Sequence, residues 1–277
     1  MHRKEKILYS VNKNGLILEI GPSYNPIVPK KEGYNAHILD HASREELINK
    51  YKSHNVPIEN IEEVDYVWNG ENYTDLIGKT KLYDAIIASH VIEHVPDFIH
   101  FLNQCEALLK DEGVLSLAVP DMRYCFDYFA PYSSTGSIID AHMHRLTKPS
   151  PGMVFTSMSN ASIRNGKLAW FPEDSTGPDA VLHTFDTLKD HLKKAQEGEY
   201  IDVHCWRFTP SSFKLIMYDL FNLGYTNFVI KNEFDTVEFE FFVTLGIDKN
   251  KKHIEFDRYS LLRKISKEIG EAYNPQN

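Results

Sequence analysis

What the chain lacks narrows its identity first. It holds 3 cysteines in 277 residues, and Cys105, Cys125 and Cys205 lie far apart with no Cys-x-x-Cys pair. The odd count and wide spacing argue against a disulfide framework or zinc ribbon, and predict reduced thiols in a cytoplasmic protein. The sequence has no apolar run near the ~20 residues that cross a bilayer. Its charged start, Met1-His2-Arg3-Lys4-Glu5-Lys6, leads into no signal-type apolar stretch. Basic excess is absent too: the formal net charge is −9. An acidic chain repels a phosphate backbone, so neither nucleic acid nor membrane is expected as a partner. There is no Gly-x-Gly-x-x-Gly, no internal repeat and no low-complexity segment.

What is present is an ordinary globular composition. Hydrophobic residues make up 42% and charged residues 25%, enough for one large domain or a domain with a long insertion. The most informative stretch is Leu16-Ile17-Leu18-Glu19-Ile20-Gly21-Pro22, an apolar run ending in an acid and then glycine. It reads as a buried strand breaking into a tight turn. The next such run, His37-Ile38-Leu39, ends in Asp40. Two strand ends tipped by carboxylates about 20 residues apart suit a nucleotide-type ribose site.

Further strands are expected at Val64–Trp68, Tyr83–Ser89 and Val114–Val119, the fourth being the clearest. Ser43–Lys52 reads as a helix with Ser43 and Glu46 at capping-box spacing. Pro96–Lys110 has helical apolar spacing, and Asp111-Glu112-Gly113 is expected to end it. Strands alternating with helices predict a parallel sheet with right-handed crossovers. From Arg123 to Cys205 the pattern dissolves into Tyr, Ser, His, Pro and Gly. This reads as a helix-and-loop insertion over the sheet's carboxyl edge, with Thr184–Gln196 its best helix. Pro210–Leu223 is an amphipathic helix. Asn227–Lys231 and Val237–Leu245 then form an antiparallel pair joined through residues 232–235. The expected division is a cofactor-binding core at 1–122, an insertion at 123–205, completion of the sheet at 206–246 and a peripheral segment at 247–277.

This order resembles the class I S-adenosylmethionine-dependent methyltransferases, and four motifs carry the likeness. Glu19-Ile20-Gly21-Pro22-Ser23 resembles their first motif, usually acid-x-Gly-x-Gly, and Asp40 the acid closing their second strand. Tyr83 to Val95, ending Glu93-His94-Val95, resembles the fourth-strand motif. Leu108-Leu109-Lys110-Asp111-Glu112-Gly113 resembles the passage into the fifth strand. The likeness is strong over residues 15–121 and weaker, through element order, over 205–246. It implies an α/β Rossmann-like fold: a seven-stranded, mostly parallel sheet with an antiparallel last strand, the insertion lying over the active-site edge. The chain departs from the pattern where Pro22-Ser23 replaces the second glycine, and where Trp68-Asn69-Gly70 stands in place of an acid after the third strand.

The resemblance implies S-adenosyl-L-methionine as cofactor. The candidate cofactor residues are Glu19, Gly21, Pro22, Ser23, Asp40 with His41, Trp68, Asn69, Ser89, His90 and His94. Glu19 is assigned the cofactor's ammonium, Asp40 the ribose hydroxyls, and Trp68 a stacking role on the base. His94 is placed one helical turn after His90, and a local hydrogen bond competes with its functional role. Catalytic candidates are His204, as general base, His90 and Asp121. Arg123, Tyr124, His142 and Arg145 are substrate candidates; ordinary surface pairing competes for each arginine. His142-x-His144 lacks a third ligand, so no metal is expected. The function implied is O-methylation of a small-molecule or sugar-type acceptor. The chain is similar to stand-alone bacterial methyltransferases of surface-polysaccharide or secondary-metabolite pathways. A non-catalytic S-adenosylmethionine-binding protein and an NAD-dependent oxidoreductase stand as alternatives.

Overall fold

A computed structural model describes residues 1–172, 175–250 and 253–273. The strands are β1 Ile17–Ile20, β2 Ala36–Asp40, β3 Tyr66–Val67, β4 Tyr83–Ser89, β5 Leu109–Pro120, β6 Ser162–Arg164, β7 Lys167–Leu168, β8 Ala180–Val181, β9 Phe228–Val237 and β10 Glu240–Ile247. The α-helices are α1 Arg3–Ile7, α2 Arg44–Tyr51, α3 Tyr73–Ile77, α4 Phe98–Leu108, α5 Thr135–Met143, α6 Pro151–Asn160, α7 Phe185–Gln196, α8 Pro210–Asn222 and α9 Arg258–Tyr273.

Seven strands form one sheet in the order β3-β2-β1-β4-β5-β10-β9. β1 pairs in parallel with β2 and β4, as do β2 with β3 and β4 with β5. β10 runs antiparallel to both β5 and β9. The order reverses between β1 and β4, and at such a switch point the carboxyl ends of the strands open a crevice for ligands. This is the Rossmann-like α/β architecture expected. Among the described residues, no helix is long and apolar enough to cross a membrane.

Alternation along the strands fills two cores. On one face Leu18, Ile86, Leu115, Leu117 and Val243 pack with Phe98, Leu102 and Cys105 of α4 and Phe213, Ile216 and Leu220 of α8. On the other, Ile17, Ile87, Ala118 and Phe242 pack under Ile7, Leu8 and Val11 from the N-terminal segment. Ser116 Oγ donates to the Ile7 carbonyl at 2.6 Å. All three cysteines are free and buried.

Cap chemistry sets the helix starts. Ser43 and Glu46 form the capping box of α2. Thr184 caps α7, and Thr209, with Pro210 following, caps α8. Residues 91–96 form turns instead of the first turn of a helix, so His90 and His94 do not share a helical face. α4 begins only after Asp97, whose side chain accepts the His100 amide at 2.8 Å.

Two strand boundaries differ from expectation. β9 runs through residues 232–235 to Val237. Lys231, Glu233 and Asp235 are exposed along this edge strand while Asn232, Phe234 and Thr236 turn inward, so polar residues there do not interrupt it. The reversal falls at Glu238-Phe239, with Glu238 at φ 61°. β5 likewise starts at Leu109, and its register with β4 shifts between Tyr83 and Ala85. The insertion contains the small sheet β7-β6-β8 as well as helices. α6 packs against α7, and α5 against α4 and α8.

One close contact fixes the entry to β1. A Cβ placed on Gly15 would lie 2.6 Å from Asp84 Cβ, whose carboxylate accepts the Leu16 amide at 2.8 Å and binds Lys110. Gly15→Ala should therefore destabilise the fold by about 1–3 kcal/mol, read as a lower urea midpoint at unchanged slope.

Candidate active site

The site is built at the carboxyl ends of β1, β2 and β4 around the switch point, with Glu240 at the start of β10 reaching it. After β1 the chain enters the left-handed region at Gly21 (φ 65°) and again at Ser23 (φ 47°). A Cβ on Gly21 would sit 3.1 Å from Val91 Cγ2, so glycine keeps the backbone close to the β4 turn. The Ser23 amide donates to Asp40 Oδ2 at 3.0 Å. Asp40 is buried, and its Oδ1 accepts the His41 amide at 2.8 Å and faces His41 Nδ1 at 2.6 Å. The two acid-tipped strand ends are thus tied together through one loop amide.

Glu19 serves this loop from within. Its oxygens accept the amides of Ile27 and Val28 at 2.6 and 3.1 Å, and the residue is 2% exposed. Its carboxyl therefore anchors the far side of the loop. Burial pushes its pKa up to about 7, against the opposing pull of those two amides. At the third strand's end, Trp68 Nε1 donates to the Glu71 carbonyl at 2.6 Å, and its ring meets Tyr73 edge-on. Asn69 is exposed, its amide on Glu71 Oε2.

The end of β4 is joined to the N-terminal helix α1 and to the start of β10. Ser89 Oγ accepts from Arg3 Nη2 at 2.6 Å. Arg3 grips Glu240 with both Nε (2.6 Å) and Nη2 (3.0 Å). His90, at φ 54°, donates from Nε2 to Glu240 Oε2 at 2.9 Å. Burial raises Glu240, but His90 and Arg3 outweigh it and hold the carboxyl below its ordinary value. The His90 ring also meets Trp170 of the insertion and Phe239 of the β9–β10 turn. Its side chain remains 26% exposed.

A second cluster lies one turn further on. Glu93 is 1% exposed and neither carboxylate oxygen has a hydrogen-bond partner among the described residues. Oε1 stands 3.8 Å from His90 Nδ1 and 4.0 Å from His204 Nε2. His204 is buried and donates from Nδ1 to Asp127 in a short contact. His94 donates from Nδ1 to Asp202 at 2.9 Å and meets the His204 ring edge-on at 4.7 Å between centroids. The backbone locks this arrangement, because the Glu93 carbonyl accepts the amides of Cys205 and Trp206 at 2.7 and 3.1 Å.

The remaining candidates are held elsewhere. Asp121 is fully buried and bound by Arg123 Nε (2.9 Å) and Nη2 (2.6 Å) and by Thr236. That pairing leaves it no open face for catalysis and engages the guanidinium read as an anion clamp. Tyr124 packs edge-on against Phe171, with Arg123 over its ring. His142 donates to Asp97, the cap of α4, at 3.0 Å. Arg145 is exposed after α5 at φ 51°. The structure does not bring His142 and Arg145 to the switch point. Arg3, Glu240, Glu93, Asp127 and Asp202 were missed by sequence reasoning. Only Glu93 had a signal, its place in Glu-His-Val.

A Rossmann-like sheet with a glycine turn, a buried acid and a polar cluster at its switch point defines a nucleotide-cofactor type of α/β protein. The sequence matches the family model described as "Methyltransferase domain" over residues 6–223, and the chain belongs to that family. No curated protein matches it. Among solved structures it is similar to a SAM-dependent methyltransferase from Aquifex aeolicus, at 12% identity and TM-score 0.42, with 89% of this chain and 90% of that one covered. It is also similar to the 1,6-didemethyltoxoflavin-N1-methyltransferase of Burkholderia thailandensis, solved with bound 1,6-didemethyltoxoflavin and S-adenosylhomocysteine, at 11% identity and TM-score 0.44 over 88% and 76% of the chains.

Two predictions test these assignments. Asp121→Asn should cost about 3–5 kcal/mol by stranding the buried Arg123 charge, measured by chemical denaturation. Glu19 has a folded pKa near 7 against an ordinary 4.5, so the folded state holds its proton more tightly. Its contribution is fully present below pH 4.5 and lost as pH rises through 7. The stability of the wild type relative to Glu19→Gln should fall over that window by roughly 3 kcal/mol; a flat difference would refute the assignment.

Proposed function

We propose that this chain is an S-adenosylmethionine-dependent methyltransferase that transfers the methyl group to a hydroxyl of a small-molecule or sugar-type acceptor. The carrying observation is the coupling of Gly21, Ser23 and Asp40 at the switch point of a methyltransferase-family sheet. The residues fit the cofactor: the glycine turn leaves backbone room beside Val91, and a buried carboxylate suits a ribose diol. Asp40 is the residue assigned to that diol, with the Gly21–Ser23 backbone beside the amino-acid part. Trp68 offers a ring at the base end. The bound cofactor supplies an already activated methyl group.

The protein's task is then alignment and removal of one proton. His90 is the group we assign to that proton. It sits at the carboxyl end of β4, is partly exposed, and is backed by Glu240, whose carboxylate stabilises the imidazolium that forms. Trp170, Phe239 and Phe126 supply an apolar wall beside it, suited to the faces of a sugar or small ring and to excluding water.

Asp40→Ala should weaken S-adenosylhomocysteine binding about 10–100-fold, the loss of charge-assisted hydrogen bonds, with the fold kept; calorimetry measures it, and unchanged affinity removes Asp40 from the site. His90→Ala should lower turnover by about 10²–10⁴ in an assay of S-adenosylhomocysteine release across hydroxyl acceptors, with cofactor affinity largely retained. Undiminished turnover would take the base role from His90.

A further inference from the structure

We infer that Glu93, His94 and His204 form a binding site for one divalent first-row transition-metal ion, beside the methyl-transfer edge. One donor atom from each of the three lies within 4.8 Å of the others. Two imidazoles and one carboxylate are a donor set suited to Zn²⁺, Co²⁺ or Fe²⁺.

Three independent features support the site. First, Glu93 is 1% exposed with both oxygens unpaired. A carboxylate buried without hydrogen bonds costs several kcal/mol, and a metal ion offsets that cost with full charge. Second, each histidine is oriented by its own carboxylate. His204 Nδ1 is held by Asp127, and His94 Nδ1 by Asp202, leaving Nε2 as the remaining ligand nitrogen on each ring. A carboxylate behind each metal-bound imidazole is the usual outer shell of such sites. Third, the backbone is already locked: Cys205 and Trp206 donate to the Glu93 carbonyl, and the Trp206 indole donates to the Val95 carbonyl at 2.7 Å. The 4.0 Å from His204 Nε2 to Glu93 Oε1 exceeds the ~3.3 Å between donors around a tetrahedral zinc. Binding of the ion requires side-chain rotations that close that difference.

Three protein ligands leave at least one coordination position open. His90 Nδ1 lies 3.8 Å from Glu93 Oε1, so the ion's carboxylate ligand neighbours the residue assigned to the acceptor's proton. The open position suits the acceptor's hydroxyl oxygen, whose pKa the ion lowers. That role rests on the methyltransferase reading; binding of the ion does not.

The test uses untagged protein, stripped with chelator and titrated with Co²⁺ alone. One equivalent should bind, with visible d–d absorption, and Zn²⁺ should displace it. His94→Ala, at a partly exposed turn, should abolish the absorption without unfolding the protein. Asp202→Asn, at a solvent-facing position, should weaken Co²⁺ binding about 10–100-fold. Failure of the wild type to bind Co²⁺ or Zn²⁺ stoichiometrically overturns the inference, as does an unchanged spectrum in His94→Ala and Glu93→Gln. S-adenosylhomocysteine affinity is measured in parallel. Lost cofactor binding with an intact Co²⁺ spectrum would count against the methyltransferase reading and still support the metal site.

Discussion

The backbone carbonyl of Glu93, holding the amides of Cys205 and Trp206, is the contact on which the whole edge depends. It fastens the turn after β4 to the far end of the insertion. The same stretch fastens Cys205 Sγ to the His94 carbonyl and the Trp206 indole to the Val95 carbonyl. Two residues later Phe208 bridges Asp121 at the end of β5, and Thr209 starts α8. One short segment thus aligns the sheet, the insertion and the following helix. It also delivers His204, with Asp202, to a cluster whose other members, Glu93, His94 and Asp127, come from earlier in the sequence.

The edge is a study in how buried acids are kept. Glu19 and Asp40 are each met by two backbone amides, which organise the loop between them. Glu240 and Asp121 are each met by an arginine, with His90 or Thr236 added. Asp127 is met by His204. Glu93 alone among these has no hydrogen-bond partner, and this, more than its burial, is the observation behind the proposed metal site. Because these acids are held differently, their structural parts differ: Glu19 and Asp40 organise a loop, Glu240 and Asp127 each support a histidine, and Asp121 forms a buried ion pair.

The sequence made the parallel sheet, its switch point and the capped helices legible because each rests on local signals: β-branched runs, Ser43 with Glu46, Thr209 with Pro210. The turn at Gly21 and the acid at the end of β2 are legible for the same reason. Three things were not. Residues 91–96 suggest helix in sequence because Glu-His-Val has no local helix breaker before Pro96, yet α4 starts only after the Asp97 cap. The strand through residues 232–235 was hidden because an edge strand tolerates charge on its solvent side. Arg3, Asp127 and Asp202 reach the site only through tertiary contact, and Asp121 is closed off by Thr236 of another strand in addition to its near neighbour Arg123. Such pairings leave no trace in spacing.

The most direct measurement of the central claim is calorimetric titration of the unmodified protein with S-adenosylhomocysteine and, separately, with NAD. Saturable binding of S-adenosylhomocysteine near one equivalent, with no heat from NAD, is the predicted result. Saturable NAD binding without binding of S-adenosylhomocysteine would contradict it.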